Sequence, residues 1–409
     1  MKLPPTFEIA SLVLIFGLLL VAYSLLTKIL SRWRLPVVIA GIAIGILAHE
    51  VSAAFPMLMA ERGEGLLEFL GTVGIVCLLF RVGLEADVAS LRKQFRSAAF
   101  LWIANVSASA LAGFAAARWL LEFDLITSLV IAVALSATSV AIPVEVWRSS
   151  GQLKSANGQR FLEVAELDDI SAVLLMALLF AVMPEMVTPQ SESLWPTIWT
   201  TLGVFTIKLT CFLGFCRFFA KCVEKPVTDL FQHSHPVVVV AGIGFIIAAF
   251  AGMLGFSVAV GAFFAGLAYS RDPRAVKIDG QFESLYEFFT PFFFIYLGFQ
   301  VPLHVLGSGL VVGGVLVVVA VFGKLAGTVL PARRSSSWRD SVTFGVSMVP
   351  RAEIALLIVA TAGTMGAYRL PETVFPGMIL VTLVTSSVVP CVLHKLLAKP
   401  HRLVHAPAS

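Results

Sequence analysis

Residues 161–182, FLEVAELDDISAVLLMALLFAV, set two carboxylates side by side, Asp168 and Asp169, in a run otherwise apolar enough to lie in lipid. Glu163 and Glu166 come just before them. An ionised side chain at the centre of a bilayer costs about 2.5–3.5 kcal/mol even on lenient insertion scales, and two neighbouring carboxylates also repel each other. Protonation, a bound cation or a nearby basic side chain relieves that cost. A proton and a small cation then compete for the same negative charge, which is the chemistry of an exchange site. The alternative is an ion network that only ties helices together. Against it, adjacent residues project about 100° apart around a helix and do not readily share one structural partner.

Lys324, in VVVAVFGKLAGTVL, is the basic residue expected to serve this pair. It lies too deep in its apolar run to be a flanking anchor. Salt-bridged to one aspartate, it would give up its proton when a cation takes its place. Glu163 is expected to be solvated near the cytoplasmic end of its helix. Glu166, deeper in, is a candidate for the lining of an inward funnel.

The chain that must position these groups has 409 residues, 58% hydrophobic and 13% charged, with mean hydropathy +0.93. Soluble proteins carry roughly a quarter charged residues, so this composition is that of an integral membrane protein. Apolar runs of about twenty residues mark about thirteen spanning helices in an all-α polytopic fold. They lie near 8–28, 35–50, 66–86, 97–118, 124–147, 158–182, 195–220, 236–253, 255–270, 284–302, 308–331, 340–363 and 372–395. The whole chain reads as one membrane domain without a soluble regulatory domain. Basic connections such as KILSRWR, LRKQFR, RDPRAVK and ARRSSSWR alternate with acidic or neutral ones such as HEVSAAF, ERGEG and PEMVTPQSES. Positive loops stay cytoplasmic, which places the N-terminus outside and the C-terminus inside a plasma (inner) membrane.

Two spans carry features that a plain lipid-facing helix avoids. The fifth, ITSLVIAVALSATSVAIPVEVW, holds Ser136, Thr138 and Ser139 near its middle, followed by Pro143. The twelfth, VTFGVSMVPRAEIALLIVATAG, holds Pro350, Arg351 and Glu353. Proline removes a backbone donor and clashes with the preceding turn, so each helix is expected to break there. Freed backbone groups must then face a cavity or other protein. For either span alone, small and polar residues could equally serve helix packing. Together they lie seven spans apart, the spacing of two inverted six-helix repeats near 1–185 and 233–396 joined by a linker helix near 195–220. Paired interrupted helices at matching positions of such halves point to a transporter's binding site.

Other residues carry less. The five cysteines lack metal-ligand spacing and read as small buried residues. The seven histidines fall at span ends or in loops and suggest no resident metal site. His233 and His235 belong to a solvated loop or sense cytoplasmic pH. No phosphate loop, nucleophile triad or nucleic-acid patch is present, so an enzyme or a nucleic-acid partner has no support, and no cofactor is expected.

Several segments together resemble the monovalent cation:proton antiporters of the Kef and NapA type. FLGTVGIVCLLFRVGLEADVASLRK (69–93) resembles that family's apolar run ending in F-x-V-G-L-E-x-D. ALSATSVAI followed by GQRFLEVAELDD resembles its broken helix and acidic ion-binding helix. GFSVAVGAFFAGLAYS (255–270), FFTPFFFIYLGFQVPL (288–303) and MVPRAEIALL (348–357) resemble further segments, in order along nearly the whole chain. The resemblance implies a core domain moving against a dimerisation domain, alternating access and a homodimer. It implies that Asp169 is the ion-binding carboxylate, with Asp168 before it as in electrogenic sodium/proton members; potassium/proton members look more like Gln-Asp. It places the family's late-helix lysine on Lys324, its first crossover on Thr138 and Ser139, and its second on Arg351 and Glu353. Arg81, Lys208, Glu166 and Ala352 depart from the pattern, and Arg81 reads as a partner of Glu85. The expectation is exchange of sodium or lithium for protons. A potassium/proton exchanger, a non-exchanging channel or sensor, and an organic-anion symporter are the alternatives.

Overall fold

The computed structural model describes residues 5–32, 37–55, 61–85, 88–187, 194–222, 236–270, 275–364 and 368–398. His233, His235 and the side chain of Glu85 lie outside the described residues, and with them the readings placed there. The described residues form helices joined by turns and short non-helical segments, with no strand among them. In order it forms α1 (Pro5–Arg32), α2 (Val37–Ala54), α3 (Glu61–Glu85), α4 (Val88–Ala115), α5 (Leu125–Ser136), α6 (Ala141–Ser149), α7 (Ala156–Val187) and α8 (Leu194–Cys222). There follow α9 (Pro236–Met253), α10 (Val258–Tyr269), α11 (Ala275–Phe299), α12 (Gly309–Ala332), α13 (Trp338–Ser347), α14 (Glu353–Thr364) and α15 (Val374–Leu397). Among the described residues, eight helices are long and apolar enough to cross a membrane. Large apolar side chains such as Val13, Leu14, Leu18, Val21 and Leu25 on α1 point away from the protein, where lipid rather than water is their natural neighbour.

The two interruptions expected from the sequence are present. The fifth span divides into α5 and α6 around non-helical residues 137–140, and the twelfth into α13 and α14 around 348–352. Pro350 lies in the second break. Pro143 does not lie in the first; it sits in the opening turn of α6. An opening turn lacks intrahelical partners for its N–H groups, so a proline costs least there. The break therefore falls a few residues earlier, where the preceding carbonyls can no longer be bonded. Asp124 caps α5 by accepting from Ile126 N and Thr127 N, both at 3.3 Å, and Ser337 caps α13 by accepting from Asp340 N at 3.1 Å.

Close helix approach sets the centre of the molecule. α12 lies against α4 through Gly323 and Gly327: a Cβ at Gly327 would meet the Ala104 carbonyl oxygen at 2.8 Å and Asn105 Cα at 2.9 Å. Small residues at such spacing let backbones touch, which is how membrane helices gain packing without a hydrophobic drive between them. Lys324 and Thr328 flank these glycines and are thereby pressed toward α4 and α7. Of the cysteines, Cys77 and Cys216 are buried, whereas Cys211 and Cys391 lie on the outside of the bundle. The expectation of buried thiols fails for those two because an apolar run in a bilayer can face lipid as readily as protein.

Candidate ion-exchange site

α5 ends at Ser136 and so leaves carbonyls without helical partners. One of them, Ser136 O, accepts from Lys324 Nζ at 2.8 Å. The same ammonium lies 2.6 Å from Asp168 Oδ2, and both side chains are fully buried. Asp168 Oδ2 also accepts from Thr138 Oγ1, at the broken segment, and Asp168 Oδ1 accepts from Asn105 Nδ2 at 3.0 Å. Thr328 Oγ1 donates in turn to Asn105 Oδ1 at 3.1 Å. Three elements thus converge on the one carboxylate that α7 presents: α4, the first break and α12. On the backbone side, Ser171 Oγ donates to Asp168 O at 2.8 Å and accepts from Trp102 Nε1 at 3.1 Å, fixing α7 against α4.

The two breaks meet. Ser139 N donates to Pro350 O at 2.8 Å, so each interrupted segment satisfies part of the other's backbone. Arg351, fully buried, turns its Nη1 back on the carbonyls of Met348 (3.2 Å), Val349 (3.0 Å) and Pro350 (3.2 Å). These carbonyls lie beyond the end of α13, that of Pro350 also accepting from Ser139 N, and a guanidinium there opposes the negative end of the helix dipole. α15 holds the same residue by its backbone: Arg351 N donates to Thr385 Oγ1 at 3.2 Å and Ser386 Oγ donates to Arg351 O at 3.1 Å. Ser136 Oγ bonds only locally, to Val133 O at 2.7 Å.

Asp169, one residue on, faces another way. It is half-buried and lines a cavity of about 390 Å³ together with Thr138, Glu166 and Glu353. The cavity reaches the end of α6, where Glu145 and Arg148 form an exposed ion pair at 3.3 Å. The cavity, with both polar and apolar side chains in its wall, therefore extends from the exposed end of α6 to Asp169. A second cavity, of about 340 Å³, lies between the end of α11 and the far half of α14 and includes Gln300, Val359 and Gly363. Along α14, Leu356 and Ile358 are fully buried between the residues that line the two cavities.

Every site residue named from the sequence falls in this region, but in different roles. Asp168 and Lys324 form the closed pair, while Asp169, Glu166 and Glu353 share the open cavity. Thr138 belongs to both, and Ser139 and Pro350 join the breaks through their backbones. Asn105 and Thr328 were not foreseen; the lone amide in WIANVSASALAG was the signal available. Arg81 reaches Glu283 on α11 at 3.5 Å and lies over the Tyr286 ring, 4.5 Å from its centroid.

Residues 15–399 match the family model described as sodium/hydrogen exchanger, transmembrane. A Na(+)/H(+) antiporter of Enterococcus hirae is 26% identical over 348 residues, covering 84% of this chain and 88% of that protein. The Na(+)/H(+)-K(+) antiporter GerN of Bacillus cereus is also 26% identical, over 91% of this chain and 93% of its own. Among solved structures, the sodium proton antiporter MjNhaP1 of Methanocaldococcus jannaschii superposes with a TM-score of 0.73 at 16% identity, covering 96% of this chain and 99% of that one.

Proposed function

The chain belongs to the sodium/hydrogen exchanger family, and from that premise we propose that it exchanges sodium or lithium for protons by alternating access. The observation that carries the reading is the division of labour between adjacent aspartates: Asp168 closed on Lys324 at 2.6 Å, Asp169 open to the cavity. An incoming cation reaches Asp169 through the cavity, past Glu166, and displaces Lys324 from Asp168 Oδ2. Asp169 and Lys324 each release a proton in doing so. Two protons against one monovalent cation move one net charge per cycle, worth about 2.3 kcal/mol per 100 mV of membrane potential.

In this reading thirteen spans form two inverted repeats, near 1–185 and 233–396, with the 195–220 helix between them. The N-terminus is outside and the C-terminus cytoplasmic, so the cavity at Asp169 opens inward on the side of Arg148. The chain acts as a homodimer of the Kef and NapA type, with no cofactor beyond the transported ions. The Asp-Asp pair and Lys324 support that placement.

Potassium/proton exchange is the second reading, favoured by the mixed sodium and potassium designation of the similar B. cereus protein. Proton flux in proteoliposomes driven by sodium, lithium or potassium separates the two. A non-exchanging channel on the same scaffold fails if one ion's gradient drives the other uphill.

A further inference from the structure

Asp168 has two carboxylate oxygens, and they are held differently. Oδ2 takes the mobile partner, Lys324, along with Thr138. Oδ1 takes Asn105 Nδ2 at 3.0 Å. Asn105 is fully buried, and its own carbonyl is engaged by Thr328 Oγ1 at 3.1 Å. An amide so engaged presents its NH2 group to Asp168, and an NH2 group only donates. The close contact of α4 with Gly327 leaves the Asn105 backbone little room to withdraw.

We propose that Asn105, fixed by Thr328, is a specificity-determining residue: by holding Oδ1 it leaves Asp168 a single oxygen for which Lys324 and the entering cation compete. This rests on the exchange reading above. A carboxylate that offers one oxygen suits a small ion with tight, short coordination. A carboxylate free to offer both widens the site and accommodates a larger ion, the contrast seen between magnesium and calcium ligation. Asn105 therefore tilts the site toward sodium and lithium and away from potassium. The charges around Asp168 are Lys324 from α12, Arg351 from the second break and Asp169 beside it on α7; α4 contributes only the neutral amide at this point. Removing the amide alters the geometry of the site without altering its net charge.

The test compares purified wild-type protein, Asn105→Ala, Thr328→Val and the double variant in proteoliposomes, reading kcat/KM for sodium, lithium and potassium from cation-driven proton flux. Asn105→Ala is expected to reduce the preference for sodium over potassium roughly tenfold, the scale of one hydrogen bond to a charged group. Thr328→Val is expected to move the ratio the same way by a smaller factor, and the double variant no further than Asn105→Ala. A uniform loss for all three ions, or unchanged ratios with intact wild-type exchange, overturns the inference alone. Additive shifts in the double variant overturn it as well, because Thr328 would then not act through Asn105. If Asn105→Ala does not fold, Thr328→Val decides the matter. A wild-type protein that couples no proton flux to any of the three cations overturns the exchange reading and this inference with it.

Discussion

Lys324 Nζ lies 2.6 Å from Asp168 Oδ2 with both side chains fully buried, while Asp169, the next residue, faces a cavity. Adjacent positions on a helix project about 100° apart, so α7 can offer one carboxylate to the packed interior and one to water. This geometry answers why two aspartates stand side by side in an apolar run. Asp168 is paired with Lys324, and Asp169 lines the cavity.

Removing Lys324 should unbalance a buried charge. Breaking a buried ion pair from one side typically costs about 3–5 kcal/mol, because the remaining charge is left uncompensated. Lys324→Gln is expected to lower the thermal unfolding temperature in detergent, and Lys324→Gln combined with Asp168→Asn to recover part of the loss. In liposomes Lys324→Gln also removes one of the two proposed proton carriers, so its residual exchange should no longer respond to an imposed membrane potential.

Glu166 and Glu353 line the cavity together with Asp169. Clefts lined by one sign of charge raise the local concentration of the opposite ion. Glu166→Gln is expected to raise the apparent KM for the cation roughly two- to tenfold, with maximal rate retained. That effect should shrink at high ionic strength, which a salt series of the same assay measures.

Arg351 serves the second break through three carbonyl contacts from one nitrogen. Arg351→Met leaves those carbonyls and a buried carboxylate site less compensated. It should destabilise the protein by about 1–3 kcal/mol, chiefly because the Val349 carbonyl loses its donor in a buried site. Arg351→Lys keeps the charge but not the planar fork, and is expected to recover only part of the stability. Thermal melts of the two variants in the same detergent check the order.

At the far end of α5, the Tyr368 hydroxyl donates to Asp124 Oδ1 at 2.6 Å, joining the connection after α14 to the N-cap of α5. Burial, and next the bond to Asp124, push the Tyr368 hydroxyl up to about 12. A folded-state value above the ordinary value near 10 contributes stability that is fully present below pH ~10 and is lost as pH rises toward 12. Tyr368→Phe is expected to remove that alkaline decline from the pH dependence of unfolding while leaving the neutral range nearly flat.

Much of the site was legible because charge in an apolar run is costly and therefore conspicuous. Asp168, Asp169, Lys324, Arg351 and Glu353 announce themselves this way, and Pro350 marks its own break. Which aspartate pairs with Lys324 was not legible, because it depends on the rotation of α7 relative to α12. Asn105 and Thr328 were missed for a related reason. Neutral polar residues are common in membrane helices, and only the glycine-mediated contact of α4 with α12 gives these two their meaning. Pro143 misled by a few residues because a proline fits the turn after a break as well as the break itself. The described partners of Arg81, Glu283 and Tyr286, come from α11, far along the chain, while the side chain of Glu85, the partner the sequence suggested, lies outside the described residues.

The central claim is that the carboxylate facing the cavity is the one that trades a cation for a proton. Cation-driven proton flux in proteoliposomes, with wild type beside Asp169→Asn, tests it most directly when paired with a melting curve of each. The account predicts sodium- and lithium-dependent flux in the wild type, none in Asp169→Asn, and a variant that melts at or above the wild-type temperature. Undiminished flux in Asp169→Asn would contradict it.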